Sequence, residues 1–221
     1  MNIPKRQKYI LAACPSKEKS IAKFYDTCIE KKVRVIITAN QVGESGKCPA
    51  YWKNKILKEL KLSHGWSIEH DKSKKTVLAT GKKGSKIVER TLVAKKGSEE
   101  RKIIHMHYVK WEDRMPSPDV DLLMKLLDRK DEIQKGHDVP VAINCKAGRG
   151  RTGTIAVADL ARKEIDAQLQ SGTKLDKVRV NIPEMIYEMR KQRPSILGRV
   201  SQVQHVYALL GKQYARLKNK E

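Results

Sequence analysis

Apolar residues recur along the chain with two different periods. After Ser16 they stand at Ile21, Phe24, Tyr25, Cys28 and Ile29, three and four residues apart, which places them on one face of an α-helix. Ser16 is read as the start of that helix, and Lys31 and Lys32 fall at its C-terminal end, where cations complement the helix dipole. Between residues 74 and 108 the period changes to two. Three alternating runs, at 76–79, 87–94 and 103–108, are separated by Gly-Lys and Lys-Gly turns and predict an antiparallel meander. The apolar run Val141, Ala142 and Ile143 predicts a strand opened by Pro140, since proline is tolerated as a strand's first residue. Helices are read at about 118–134, 151–169, 182–192 and 198–216 from helical spacing. No internal repeat interrupts this mixture, so the pattern predicts an α/β domain.

At 221 residues and 25.2 kDa, with 39% hydrophobic residues, one domain with a sizeable core is the default. No apolar run approaches the roughly 18 residues of a membrane span. Residues 1–13 mix Lys, Arg and Gln into the sequence, which is no secretory signal. Cys14, Cys28, Cys48 and Cys145 fall at no zinc or paired-disulfide spacing, so a reducing compartment, the cytoplasm, is expected. A bacterial protein delivered into a host cell without a cleavable signal also fits. His105 and His107 alternate on one strand without a third ligand at a matching spacing, so no metal and no cofactor is expected. A monomer is expected.

Charge is the outlying property. Lys and Arg number 47 against 25 Asp and Glu, a net charge of +22, which predicts salt-sensitive association with anionic partners. An acidic membrane leaflet or an acidic phosphoprotein fits better than nucleic acid, because aromatics make up only 5% of the chain and no nucleic-acid motif appears. Lys82, Lys83, Lys95 and Lys96 read as solvated turn tips, with a lipid-facing role as the alternative.

Residues 145–153 read Cys-Lys-Ala-Gly-Arg-Gly-Arg-Thr-Gly and carry the candidate chemistry. Cys145 and Arg151 bracket a Gly-rich turn between a strand and a helix beginning near Gly150. Backbone N–H groups in such a turn converge on one point, the helix N-terminus aims its positive end there, and Arg151 adds a fork matched to phosphate oxygens. The field that holds a dianion also favours a thiolate, a nucleophile aimed at phosphorus. Such a thiolate must expel an alkoxide or phenoxide, so a carboxylic acid is needed to protonate it. Asp113, on a loop bounded by Trp111 and Pro116, is the candidate, with Trp111 as a hinge anchor.

These residues resemble the protein tyrosine phosphatase superfamily, and specifically its tyrosine-phosphatase domain, over nearly the whole chain. Residues 9–15 and 33–38 resemble two strands of that domain. Lys47, Cys48, Tyr51 and Trp52 match its Lys-Cys-x-x-Tyr-Trp motif, 111–116 its acid loop, and 189–194 followed by Gln202 the segment ending in a water-positioning glutamine. The resemblance implies one catalytic domain over 1–221, N-terminally short, with a central twisted mixed β-sheet flanked by helices. It implies a two-step reaction. Cys145 takes the phosphoryl group while Asp113 protonates the leaving oxygen; a water oriented by Gln202 and deprotonated by Asp113 then hydrolyses the phosphocysteine. Thr152 joins the catalytic group, and Lys146, Ala147, Gly148, Arg149, Gly150 and Arg151 form the phosphate cradle. Trp111 and Asn144 support it, Glu44 braces Arg151, and Lys47 meets Asp113.

Three positions depart from the family pattern. Asn144 stands where the family usually has His, Glu112 where it has Pro, and Gly198 at the slot of an earlier glutamine. The chain also begins where the family's phosphotyrosine-recognition loop has already passed. Lys146 and Arg149 resemble the basic cradle of inositol-lipid phosphatases, each added cation favouring a second phosphate. Protein phosphotyrosine is the first expected substrate and phosphoinositides or inositol phosphates the second. A non-catalytic phosphate-binding module is the third reading, motivated by Asn144 and Glu112.

Overall fold

The computed structural model describes residues 7–112 and 119–219. Six strands form one mixed sheet: β1 (Tyr9–Ala13), β2 (Val35–Thr38), β3 (Ser67–Thr80), β4 (Lys86–Lys96), β5 (Glu99–Val109) and β6 (Val141–Cys145), in the spatial order β1-β6-β2-β5-β4-β3. The first four in that order are mutually parallel, and β4 and β3 continue from β5 as the antiparallel meander. Helices α1 (Glu18–Glu30), α2 (Asn54–Leu57), α3 (Val120–Gln134), α4 (Gly150–Gln170), α5 (Ile182–Gln192) and α6 (Val200–Lys218) flank it.

Strand pleat divides the core in two, because alternate side chains leave a strand on opposite faces. Val35 and Ile37 of β2, with Val141 and Ile143 of β6, join α3, α4 and α6 in one cluster. Ile36 and Ala142, from the same strands, join Phe24, Tyr25 and Cys28 of α1 and Tyr51 and Trp52 in the other. A central parallel strand buried on both faces reads as a continuous apolar run, which is what 141–143 do.

The expected helices and meander are present, with shifted edges. The first helix starts at Glu18, and Ser16 lies ahead of it, donating its amide to Ser20 Oγ at 3.1 Å. Pro140 precedes β6 by one residue. β3 begins at Ser67, well before the expected 76, because an exposed edge strand carries polar residues on both faces. Helix α3 is capped by Asp119, whose carboxylate accepts from Leu122 N at 3.1 Å, as an N-cap does.

One polar cluster is sealed inside. Lys130 of α3 donates to both oxygens of Asp159 of α4 at 2.7 Å, and Tyr9 OH donates to Asp159 at 2.7 Å. Burial, then the Asp159 charge, pushes Tyr9 above the ordinary phenol range, so it stays a donor. Among the described residues no helix is long and apolar enough to cross a membrane.

Candidate active site

Strand β6 delivers Cys145 to the end of the sheet. Its two parallel neighbours grip the strand end: Ala39 N donates to Asn144 O at 2.9 Å, and Cys14 N to Cys145 O at 2.7 Å. The chain then turns through 146–149 and enters α4 at Gly150. Two glycines make the turn possible. Gly148 has φ +62, and a Cβ there would stand 2.3 Å from the Ala12 carbonyl, so the loop lies directly on the end of β1. A Cβ on Gly150 would meet Gln202 Nε2 at 2.5 Å, so the glutamine amide rests against the first turn of α4.

Arg151 sits in that first turn with its side chain fully buried. Its two terminal nitrogens donate to Glu44 at 2.9 and 2.7 Å, a bidentate fork, and Nη1 also donates to Trp111 O at 2.7 Å. Glu44 projects from a turn in which Gly43 and Ser45 both have positive φ. Trp111 is buried against Tyr108 and His205. Sequence reading put these three residues in one neighbourhood, and the structure brings them together.

Gln202 is buried, and its Oε1 has no hydrogen-bond partner among the described residues. The same holds for Thr152 Oγ1 and Asn144 Oδ1. Lys146 Nζ donates to Ser45 Oγ at 2.7 Å, which ties it to the turn carrying Glu44. Ala147 and Arg149 are exposed, as is Lys47. Asp113, the expected acid and the expected partner of Lys47, lies outside the described residues; Glu112 before it is exposed.

Beneath the loop runs a buried chain of hydrogen bonds. Asn144 Nδ2 donates to Tyr51 OH at 2.7 Å; Tyr51 OH lies 2.7 Å from Thr38 Oγ1, which lies 2.9 Å from His105 Nε2. The amide donates at one end, and each hydroxyl and the His105 ring can donate or accept along the rest. Burial, then the charge of Arg90, holds His105 protonation well below its ordinary range. His107 bonds Asn40 O through Nε2 at 2.8 Å, and burial pushes its pKa down to about 4. Both rings pack on Trp52, with centroids 4.6 and 4.8 Å away. The alternating histidines therefore serve as buried hydrogen-bonding groups that tie β5 to the β2 end.

Two contacts escaped sequence reading. Arg193, quoted only as part of a motif, donates to the Gly148 and Ala147 carbonyls, drawing the loop's oxygens to its own side. Cys14 and Cys48 are near enough to influence each other, and burial pushes both thiols up. A basic residue a few positions after a Met-Arg-Lys run was the available signal for the first; nothing in the spacing announced the second.

Comparison with known proteins agrees with this geometry. The family model described as protein-tyrosine phosphatase matches residues 1–212. Human tyrosine-protein phosphatase non-receptor type 12 is 31% identical over 132 residues, covering 60% of this chain and 16% of that protein. Tyrosine-protein phosphatase 69D of Drosophila melanogaster is 25% identical over 214 residues, covering 93% of this chain and 13% of that protein. The chain thus spans a small part of either relative. The solved catalytic domain of human protein tyrosine phosphatase non-receptor type 18 superposes with a TM-score of 0.77 at 23% identity, covering 94% of this chain and 69% of that one. A buried cysteine at a strand end, an arginine held by a glutamate in the next helix turn, and a match along nearly the whole sequence place the chain in the protein-tyrosine phosphatase family.

Proposed function

We propose that the chain is a cysteine-dependent phosphatase acting on protein phosphotyrosine, with residues 1–221 as its catalytic domain. The observation that carries this reading is Cys145 and Arg151 at the two ends of one Gly-rich turn, with Arg151 gripped by Glu44. The Cys145 thiolate attacks phosphorus, forming the S–P bond as the P–O bond to the phenolic oxygen breaks. Asp113 gives that oxygen its proton. Gln202 Oε1 then orients a water, Asp113 takes its proton as the water attacks, and inorganic phosphate and the free thiolate are released. Arg151 and the loop N–H groups hold the equatorial oxygens, whose charge must be stabilised in both steps.

Phosphotyrosine is put ahead of inositol phosphates because Lys146 Nζ already donates to Ser45 Oγ, a bond it would have to leave to meet a second phosphate. Structures similar to this chain, those of protein tyrosine phosphatase non-receptor type 18, include complexes with phosphopeptides. A thiolate nucleophile requires a reducing compartment, so the cytoplasm is the proposed location.

Phosphate release by wild type and Cys145→Ser, measured on phosphotyrosine peptides and on phosphoinositides, tests the reading. Release from peptides that falls by more than about 10⁴-fold in the variant, with peptide binding retained, is expected. Preference for phosphoinositides would overturn the substrate. An inert wild type that binds phosphopeptides as well as the variant would make the chain a binding module.

A further inference from the structure

The net charge of +22 is unevenly compensated over the surface. Lys17, Lys19 and Lys23 share the rim of a cavity of about 640 Å³ with Glu18 and Asp26. Lys163 pairs with Asp131, Lys191 with Glu188 and Lys212 with Asp121. The β3 strand and the β3–β4 turn are different. Lys72, Lys74, Lys75, Lys82, Lys83 and Lys86 are all exposed, and no acidic residue occurs between 72 and 88. Among the described residues only Lys74 of the six has an ion pair, with Asp71 at 3.8 Å.

Two further features distinguish this region. β3 is the last strand of the sheet, so among the described residues one of its edges pairs with no other strand. Val77 and Leu78, in the middle of the lysines, are 54% and 36% exposed. Lysines on an edge strand are a common protection against edge-to-edge association. Protection alone does not account for two aliphatic side chains left in water among them. A bulge between Val77 and Ala79 turns the strand locally at that point.

We propose that the β3 edge and the β3–β4 turn form a docking surface for an anionic membrane leaflet, with the lysines meeting lipid headgroups and Val77 and Leu78 entering the interface. Interspersed basic and aliphatic residues are the pattern that binds such surfaces. No aromatic residue occurs between 72 and 88, which disfavours single-stranded nucleic acid, where bases stack on aromatic rings. Neither described cavity borders the region, and a fluid leaflet needs no concavity.

The surface is joined to the candidate active site. Lys82 N donates to Asp119 Oδ2 at 2.9 Å, and a Cβ on Gly84 would stand 3.0 Å from Lys110 Nζ. Lys110 adjoins Trp111, whose carbonyl accepts from Arg151. A leaflet holding the turn would therefore lie beside the segment that contacts Arg151. The proposal does not depend on the catalytic reading.

Co-sedimentation with vesicles of phosphatidylcholine alone, or of phosphatidylcholine mixed with phosphatidylserine, tests it at low and high salt. Wild type is compared with a variant carrying Lys72→Gln, Lys74→Gln, Lys75→Gln and Lys83→Gln. The control carries Lys17→Gln, Lys19→Gln, Lys23→Gln and Lys61→Gln, which removes equal charge from another face. Each lysine at an anionic surface contributes about fivefold to partitioning, so the first variant should bind phosphatidylserine vesicles at least ~100-fold more weakly, and the control much less so. Val77→Ser with Leu78→Ser should lower the binding that survives high salt, where screening removes the charge contribution. Thermal unfolding of each variant checks that it is folded. Equal loss in the variant and the control, or no binding of wild type to phosphatidylserine vesicles, overturns the proposal. So does tighter binding to a poly-glutamate peptide than to vesicles, which would assign the surface to an acidic protein.

Discussion

The molecule holds two buried pairs of the same kind, a cation on one element and a carboxylate on another, and they are built differently. Lys130 and Asp159 meet between the middles of α3 and α4, both essentially inaccessible, with Tyr9 completing the carboxylate's hydrogen bonds. Arg151 and Glu44 meet at the start of a helix and on a turn with two positive-φ residues, and Glu44 is 13% exposed. The first pair is enclosed by regular structure. In the second the guanidinium is equally buried, but its carboxylate partner stands on a turn and is partly exposed. Regular elements close off both members of a pair, whereas a loop leaves one of them at the surface.

The largest expected effect separates the two pairs by stability. Lys130→Met leaves the Asp159 carboxylate buried without its cation and should cost about 3–5 kcal/mol, as the loss of one partner of a buried pair does. Denaturant unfolding measures it. A small loss would mean the pair is not sealed, and the contrast with Arg151 would fail.

Arg151→Lys should reverse the pattern. An ammonium cannot reproduce the fork to Glu44 and phosphate, so kcat/KM on a phosphotyrosine peptide should fall by about 10²–10³-fold, with a smaller change in unfolding free energy than Lys130→Met gives. If the two variants showed the same ratio of activity loss to stability loss, the pairs would not differ in role.

Acid sharpens the comparison through groups beside each pair. Between pH 6.5 and about 4 the unfolded chain binds a proton at His107 that burial keeps off the folded chain. Stability should therefore fall as pH falls through that window, by up to about 3 kcal/mol. Near Lys130, burial would raise Asp131, but the adjacent Lys130 and Lys163 ammoniums hold it below 3.8, so its stabilisation is lost only at lower pH. Unfolding of His107→Asn across the same range should show a flatter dependence above pH 4; an unchanged slope would remove His107 as the cause.

The smallest expected effect tests Glu44 as an orienting group. Glu44→Gln keeps the shape of the side chain but weakens two charge-assisted hydrogen bonds, each of which contributes about 1.5–3 kcal/mol when fully made. With an amide still in place, kcat/KM should drop by roughly tenfold, and thermal unfolding should shift less than it does in Lys130→Met.

Much of this was legible in the sequence. The face of α1 was given by five apolar residues at helical spacing, and the meander by period-two runs. Cys145, Arg151 and Gly148 were legible because a phosphate cradle requires fixed offsets along one short segment. Contacts set by the order of strands in the sheet were not. Asn144, Tyr51, Thr38 and His105 form one chain only because β6, β2 and β5 are neighbours. The start of β3 was hidden because its residues from His70 to Lys75 are polar on both faces, as an edge in water permits. Arg193 reaches the cradle from the segment after α5, a placement that depends on how α5 packs and leaves no spacing in the sequence.

The hydrogen-bonded chain under the loop begins at an amide. Asn144 carries no titratable proton, and from it the chain runs through Tyr51 and Thr38 to His105. The strand end that carries Cys145 is thus tied from beneath to β2 and β5, so a change at Tyr51 or His105 would be felt at the loop without altering any residue of it.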